Sequence, residues 1–276
     1  MPCLPVCTPT CLPVCKRFVH NRWFQSDLSR VGWADSDRCW CWMMHSCSYA
    51  NAWFGGLPEE VRDSGVDLGK IRLEAAVGED YSPHVSIPKP DSVAGRSLQM
   101  VRWLSSTHPQ GNWEQFLSED GQDLRWESVI LSGISHGSTT SARFAKHQEV
   151  ARVVLFSGPR DQLDDWHGFP SATPTERYFA FTHVLDGGWP EHYHRSWKML
   201  GLEDHGTLQS VDGSDVLMQP PYANSRTLTT SADVGGDANV AHTTVVPGGT
   251  ARRDEYGRYI YEDVWRYMFT HPCVSA

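Results

Sequence analysis

Short apolar segments that alternate with helical patterns constrain the fold of this chain most strongly. From about residue 57 onward, the runs "ESVILSG", "ARVVLFSG" and "RYFAFTHVLD" each predict a strand, and "RTLTTSAD" predicts a weaker fourth. Apolar runs without polar alternation are typical of strands that are buried on both faces of a sheet. We therefore expect the strands to form the centre of the molecule.

Helical patterns lie before, between and after these strands. In "SVAGRSLQMVRWLSSTHP", Val93, Leu98 and Leu104 lie near helical spacing until Pro109 ends the pattern. Three further segments predict helices: "TTSARFAKHQ", "EHYHRSWKML" and "YIYEDVWRYMF". Strands that are connected by helices imply an α/β fold with a mostly parallel sheet and right-handed crossovers.

Composition limits the size and the partners of this domain. The chain has 276 residues, of which 40% are hydrophobic, so residues 51–276 suffice for one α/β domain. The formal net charge of -9 argues against a nucleic-acid partner, because such proteins carry basic faces. No run approaches the roughly 18 apolar residues of a membrane-spanning helix, so we expect a soluble protein without a membrane span.

Residues 1–50 differ in composition and are expected to be an atypical leader. Seven of the eight cysteines lie there, and proline is frequent. Cys3, Cys7, Cys11 and Cys15 are spaced by four, which is not the spacing of a zinc site, and the prolines prevent a helix that would align them. No metal site is therefore expected.

The same leader also bears on the sheet and on localisation. It has no period of 2 or 3.6, so we expect it to pack poorly and to leave one edge of the sheet short. Its prolines and polar residues interrupt the apolar stretch that a signal peptide requires. The cellular compartment is therefore not assigned, although the cytoplasm is slightly favoured.

The pentapeptide "GISHG", residues 133–137, lies where a predicted buried strand turns into a helix. A serine at such a turn projects its hydroxyl above the sheet edge, and the flanking glycines let strand and helix approach closely. The start of the helix directs N–H groups and a positive dipole end toward an oxyanion. This context predicts that Ser135 is a nucleophile rather than an ordinary turn residue.

With "GISHG" as a nucleophile elbow, residues 92–270 resemble the α/β-hydrolase superfamily. More narrowly, "VILSGISHGS", "ARVVLFSGPRD", "FTHVLD" and "WRYMF" resemble a little-characterised branch of microbial serine hydrolases. The resemblance implies an α/β-hydrolase fold and a catalytic triad in the chain order serine, acid, histidine. It also implies that the backbone N–H of His136, which follows the serine, is one oxyanion donor.

The acid of this triad is expected just beyond a strand end. Asp186 has that position in "YFAFTHVLDGG" and is the first choice. Asp161 follows the preceding strand and is the rival, because some members of the superfamily carry the acid one strand earlier. Asp164 and Asp165 are also near.

The base must come last in the chain, and only His242 and His271 lie beyond the fourth strand. His242 fits better, because a loop of plausible length separates it from "RTLTTSAD". His271 comes after the terminal helix, where a capping or surface role is commoner.

Three other histidines invite a functional interpretation. His183 lies three residues before Asp186, so it either lines the site or is buried and hydrogen-bonded. His192 and His194 in "PEHYHRSW" resemble a metal pair, but a spacing of two on a helix directs them apart, and surface positions are expected.

The upstream half departs from the family pattern. The family carries an apolar strand that ends in a His-Gly type loop, which donates the second oxyanion N–H. "CKRFVHNRWF" is the nearest candidate, but it is short and charged and lacks the glycines, and "WFGGLPEE" has glycines but no preceding strand. The first strands of the fold are therefore expected to be missing or replaced.

These observations predict a serine hydrolase that cleaves a small carboxylic ester or other acyl substrate through an acyl-enzyme, without metal or cofactor. A polar segment over about residues 159–176 is expected to form a lid or pocket wall. Two alternatives remain open. One is a catalytically silent binding protein of the same fold, and the other is a fold-related lyase or acyltransferase.

Overall fold

The computed structural model describes residues 52–65, 67–161, 165–248 and 250–273, together with four short strands within the first 45 residues. The strands, in chain order, are β1 (Phe18–His20), β2 (Gly32–Asp35), β3 (Arg38–Cys41), β4 (Met43–His45), β5 (Val129–Ile134), β6 (Arg152–Phe156), β7 (Tyr178–His183), β8 (Gln209–Ser210) and β9 (Thr227–Thr230). The α-helices are α1 (Trp53–Gly56), α2 (Glu59–Ser64), α3 (Leu68–Val77), α4 (Val93–Thr107), α5 (His136–His147), α6 (Tyr193–Met199), α7 (Ala238–Thr244) and α8 (Glu262–Thr270).

The centre of the molecule is a parallel sheet. Its strands follow the order β4-β1-β5-β6-β7-β9-β8, and every recorded pairing within it is parallel. Five of these strands come from residues beyond 128, and helices flank them on both faces. The prediction of an α/β class with a mostly parallel sheet is thus confirmed.

Successive residues of the central strands alternate between two apolar layers. Leu131, Val153 and Ala180 pack with α4 and α5 on one face of the sheet. Their strand neighbours Ile130 and Val154 pack with α8 on the other face. Burial on both faces explains why the strands read as continuous apolar runs in the sequence.

The first 50 residues contribute to the sheet more than their composition suggests. Phe18–His20 pairs in parallel with Val129–Leu131 on one side and with Met43–His45 on the other. The leader thus supplies two short strands at the edge of the sheet that we expected it to leave short. Apart from its four short strands, the expected leader, including Cys3, Cys7, Cys11 and Cys15, lies outside the described residues.

The segment predicted as a lid is described in part, because residues 162–164 lie outside the described ranges. Trp166 is fully buried in the core, and the backbone N–H groups of Ala172 and Thr173 donate to the carbonyls of Lys146 and Ala145 near the end of α5. At 1.5 Å per residue, those contacts lie about 15 Å along the helix from its start. The lid stays a prediction.

In the described part of the chain, every helix is too short or too polar to cross a membrane.

Candidate active site

Ser135 occupies a strained turn between β5 and α5. Its φ of 55° and ψ of -118° lie outside the regions that non-glycine residues usually adopt. Its N–H donates to the carbonyl of Phe156 on the neighbouring strand, 3.1 Å away. Strain of this kind persists where surrounding contacts enforce it and is frequent at functional sites.

The contacts that enforce this turn converge on the carbonyl of Ser135. It accepts hydrogen bonds from the hydroxyl of Ser138 at 2.7 Å and from the hydroxyl and N–H of Thr139 at 3.0 and 3.1 Å. A Cβ on Gly133 would overlap the backbone of Gly137, and one on Gly158 would overlap the hydroxyl of Ser138. Glycine is therefore required where strand, helix and the loop after β6 meet.

The first turn of α5 carries the expected oxyanion donor. His136 is the first helical residue, so its N–H has no carbonyl four residues upstream to bind. That N–H and the positive end of the helix dipole lie directly beside Ser135.

Asp186 lies in the loop after β7 and is almost fully buried, with 3% of its surface exposed. One carboxylate oxygen accepts from the N–H of Gly188 and from the hydroxyl of Tyr193, both at 3.0 Å. The other oxygen lies 2.8 Å from Nδ1 of His242. Burial raises the pKa of Asp186, but the hydrogen bonds from His242 and Gly188 outweigh it, so the pKa is lowered overall and the carboxylate is ionised at neutral pH.

His242 lies on α7, a helix that was not predicted from the sequence. An ionised carboxylate only accepts hydrogen bonds, so Nδ1 of His242 carries the proton and Nε2 is left as a base. The carbonyl of His242 accepts from the hydroxyl of Ser157, the first residue after β6, at 2.8 Å. These contacts hold the imidazole above the carboxyl edge of the sheet with about 29% of its side chain exposed.

Ser135, Asp186 and His242 thus lie at one edge, where β5, β6 and β7 end. The structure brings Asp186 and His242 into direct contact. Although all three residues are described, it records no hydrogen bond between the hydroxyl of Ser135 and His242. Catalytic hydrogen bonds are often long before a substrate is bound.

The rival acid, Asp161, is engaged elsewhere. Two guanidinium nitrogens of Arg72, on α3, donate to its two carboxylate oxygens, and the Nη2 contact measures 2.8 Å. Both side chains are almost fully buried. Asp161 is thus the partner of Arg72, whereas Asp164 and the side chain of Asp165 lie outside the described residues.

The rival base, His271, lies at the opposite edge of the sheet. It ends α8, and its carbonyl accepts from the side chain of Arg152, the first residue of β6. The amino ends of parallel strands lie at the same edge of a sheet. His271 is therefore separated from Ser135, which lies at the carboxyl edge, by the length of the strands.

The side chain of His136 packs in an aromatic and cationic pocket that the sequence did not indicate. Its ring contacts Phe54 and Trp53 edge to face, with centroid distances of 4.7 and 6.2 Å. Nη1 of Arg72 lies 3.3 Å from Nδ1 of His136, and since arginine only donates, Nδ1 is the acceptor. Burial, followed by the charge of Arg72, lowers the pKa of His136 to about 4.

The other histidines fall outside the contacts that join Asp186 and His242. His183 is buried: Nδ1 accepts from the N–H of Leu185 at 2.9 Å, and Nε2 donates to the carbonyl of Ala232 at 2.7 Å. Of the two alternatives, the buried and hydrogen-bonded one is therefore observed. His192 and His194 are half-buried, and His194 pairs with Glu203 at 2.5 Å. No cluster of metal-ligating side chains occurs among the described residues.

The second oxyanion donor is not identified. β1, which includes part of "CKRFVHNRWF", lies directly beside β5. Residues 21–31, which follow it in the chain, lie outside the described residues. On sequence alone this segment is rejected as the donor strand, because it is short and charged and lacks the glycines.

Comparisons with other proteins do not identify the chain. A scan of protein-family models finds no match, and searches of curated proteins and of solved structures find none either.

Proposed function

We propose that this protein is a serine hydrolase of the α/β-hydrolase type that cleaves carboxylic esters through an acyl-enzyme on Ser135. One observation carries the proposal: a buried carboxylate, Asp186, holds the imidazole of His242 at the edge where Ser135 occupies a strained turn. The chain order serine, acid, histidine is the order of that superfamily. The position of β5 between strands on both sides supports the same resemblance.

In the first half of the reaction, Nε2 of His242 accepts the proton of the Ser135 hydroxyl while the oxygen attacks the ester carbonyl. Asp186 keeps the proton of His242 on Nδ1 and stabilises the imidazolium that forms. The tetrahedral oxyanion accepts a hydrogen bond from the N–H of His136 beside the positive end of α5. The imidazolium then gives its proton to the departing alcohol, which leaves Ser135 acylated.

In the second half, a water molecule takes the place of the alcohol. His242 accepts a proton from this water, the resulting hydroxide attacks the acyl-enzyme, and the imidazolium returns the proton to the oxygen of Ser135. The acid product then leaves. This sequence uses only side chains and backbone groups of the chain, and no cofactor enters it.

A second oxyanion donor completes such a site in the superfamily. Removing one such donor typically lowers the rate by about a hundredfold to a thousandfold, so the rate depends strongly on it.

Hydrolysis of p-nitrophenyl butyrate tests the proposal. We expect turnover by the unmodified chain and a loss of at least about a thousandfold in Ser135→Ala. Ser141→Ala, which removes a serine hydroxyl two turns further along α5, is the matched control and should retain the rate. Absence of hydrolysis by the unmodified chain would favour the silent binding protein, whereas transfer of the acyl group to an added alcohol in preference to water would favour an acyltransferase.

A further inference from the structure

Arg160 lies in the loop after β6, in contact with the turn that carries Ser135. Its N–H donates to the hydroxyl oxygen of Thr139 at 3.1 Å. The same hydroxyl donates to the carbonyl of Ser135 at 3.0 Å. One side chain, that of Thr139, therefore connects the backbone of Arg160 to the nucleophile.

The guanidinium of Arg160 reaches toward the acid side of the same site. Its carbon lies 5.8 Å from the ring centroid of Tyr193, whose hydroxyl donates to Asp186 at 3.0 Å. Burial, and then the charge of Arg160, lower the pKa of His192. The cation thus lies between the Ser135 turn and the loop of Asp186.

This cation is exposed and has no ion-pair partner among the described residues. The two buried carboxylates nearest in the fold are committed to other groups. Asp161 binds Arg72, and Asp186 binds His242, Gly188 and Tyr193. Neither can neutralise Arg160.

The exposed guanidinium of Arg160, which also contacts the hydroxyl of Tyr193, is suited to one kind of ligand group. It presents N–H donors in a planar fork that matches the two oxygens of a carboxylate. Its single positive charge balances one negative charge. In a chain of formal net charge -9, an exposed cation beside the site also offsets the general repulsion of anions.

We infer that Arg160 binds a carboxylate of the substrate, so that the site takes half-esters of dicarboxylic acids in preference to neutral esters. The inference rests on the proposed function, since it names the substrate class of the same site. Arg160 acts on selectivity here, and the triad performs the chemistry.

Calorimetric binding to the Ser135→Ala chain tests this inference without turnover. The probes are monobenzyl succinate, which is an anion at pH 7.5, and its neutral methyl ester. We expect the anion to bind up to about fivefold more tightly, because an exposed ion pair contributes at most about that factor. Raising the salt concentration from 0.05 to 0.5 M should shrink that preference.

Two further variants, each in the Ser135→Ala chain, separate the local effect from overall charge. Arg160→Gln should abolish the preference for the anion. Arg258→Gln is the matched control, because Arg258 also lies over a tyrosine ring, at 5.6 Å, but is already paired with Asp254. It should keep the preference for the anion.

Equal binding of the two probes, no binding of either, or a preference that survives Arg160→Gln would each overturn the inference. Covalent labelling of Ser135 by a fluorophosphonate tests the proposed function separately. Anion-selective binding without labelling would reject the hydrolase and support the carboxylate site. Labelling without anion selectivity would support the hydrolase and reject the carboxylate site.

Discussion

Arg72 binds both carboxylate oxygens of Asp161 in an ion pair that is almost completely removed from water. The pair connects α3 to the loop after β6, and Arg72 also contacts Nδ1 of His136. The start of α5 and the loop after β6 are thereby attached to a helix that precedes them in the chain by more than 60 residues.

Replacing Arg72 by methionine should strongly destabilise the fold. The change leaves the carboxylate of Asp161 buried without its partner, which typically costs about 3 to 5 kcal/mol. Urea unfolding measures the loss of free energy. Arg62→Met is the control, because Arg62 pairs with Asp63 at the exposed surface and should change stability by less than about 1 kcal/mol. Similar losses in both variants would contradict a structural role for the buried pair.

The sequence predicted β5, β6 and β7 because these strands form largely apolar runs that are buried on both faces, and Ser135, Asp186 and His242 were chosen by chain order and strand ends. The Arg72 and Asp161 pair could not be predicted, since its partners are 89 positions apart and no local pattern joins them. β1 was missed for a related reason. A three-residue strand carries no period, and only its neighbours in space define it.

Gly133→Ala should damage both the stability and the activity of the site. A Cβ at this position overlaps the backbone of Gly137, so strand and helix must separate and Ser135 must move. We expect a loss of about 1 to 3 kcal/mol in urea unfolding, as for other overpacked positions. The turnover of p-nitrophenyl butyrate should also fall.

The control for this change is Gly55→Ala in α1, where an added Cβ meets no atom within 4 Å. Because alanine favours helix over glycine, this variant should be neutral or slightly stabilising. A Gly133→Ala chain as stable and active as Gly55→Ala would show that the close approach is not needed.

Because of His136, the free energy of unfolding should decrease as the pH is lowered from 7 to 5. Its pKa is about 4 in the folded chain, below the ordinary value of 6.5, so the unfolded chain binds more protons across this range. The stabilisation that comes from the neutral imidazole of His136 is fully present above about pH 6.5 and is lost as the pH falls toward 4. His136→Asn keeps an acceptor for Arg72 but does not titrate.

Between pH 7 and 5, the unmodified chain should therefore lose about 1 to 2 kcal/mol more than His136→Asn does. Unfolding by urea at a series of pH values measures the difference. His108→Asn, at an exposed position, should follow the unmodified chain. Parallel curves for His136→Asn and the unmodified chain would contradict a buried neutral imidazole.

Asp186→Asn should lower kcat for p-nitrophenyl butyrate by about 10⁴, the loss seen when the acid of such a triad becomes an amide. The amide no longer holds the proton of His242 on Nδ1, so Nε2 ceases to be the base. Asp263→Asn, at an exposed position on α8, is the control and should retain kcat. A loss of less than tenfold in Asp186→Asn would remove this residue from the triad.

Covalent labelling by a fluorophosphonate, followed by mass-spectrometric mapping of the modified peptide, tests the triad most directly. The reagent phosphonylates a serine only where a neighbouring base activates the hydroxyl. We expect one adduct per chain, located on Ser135 and lost in His242→Ala. An unlabelled chain, an adduct on another residue, or undiminished labelling of His242→Ala would contradict it.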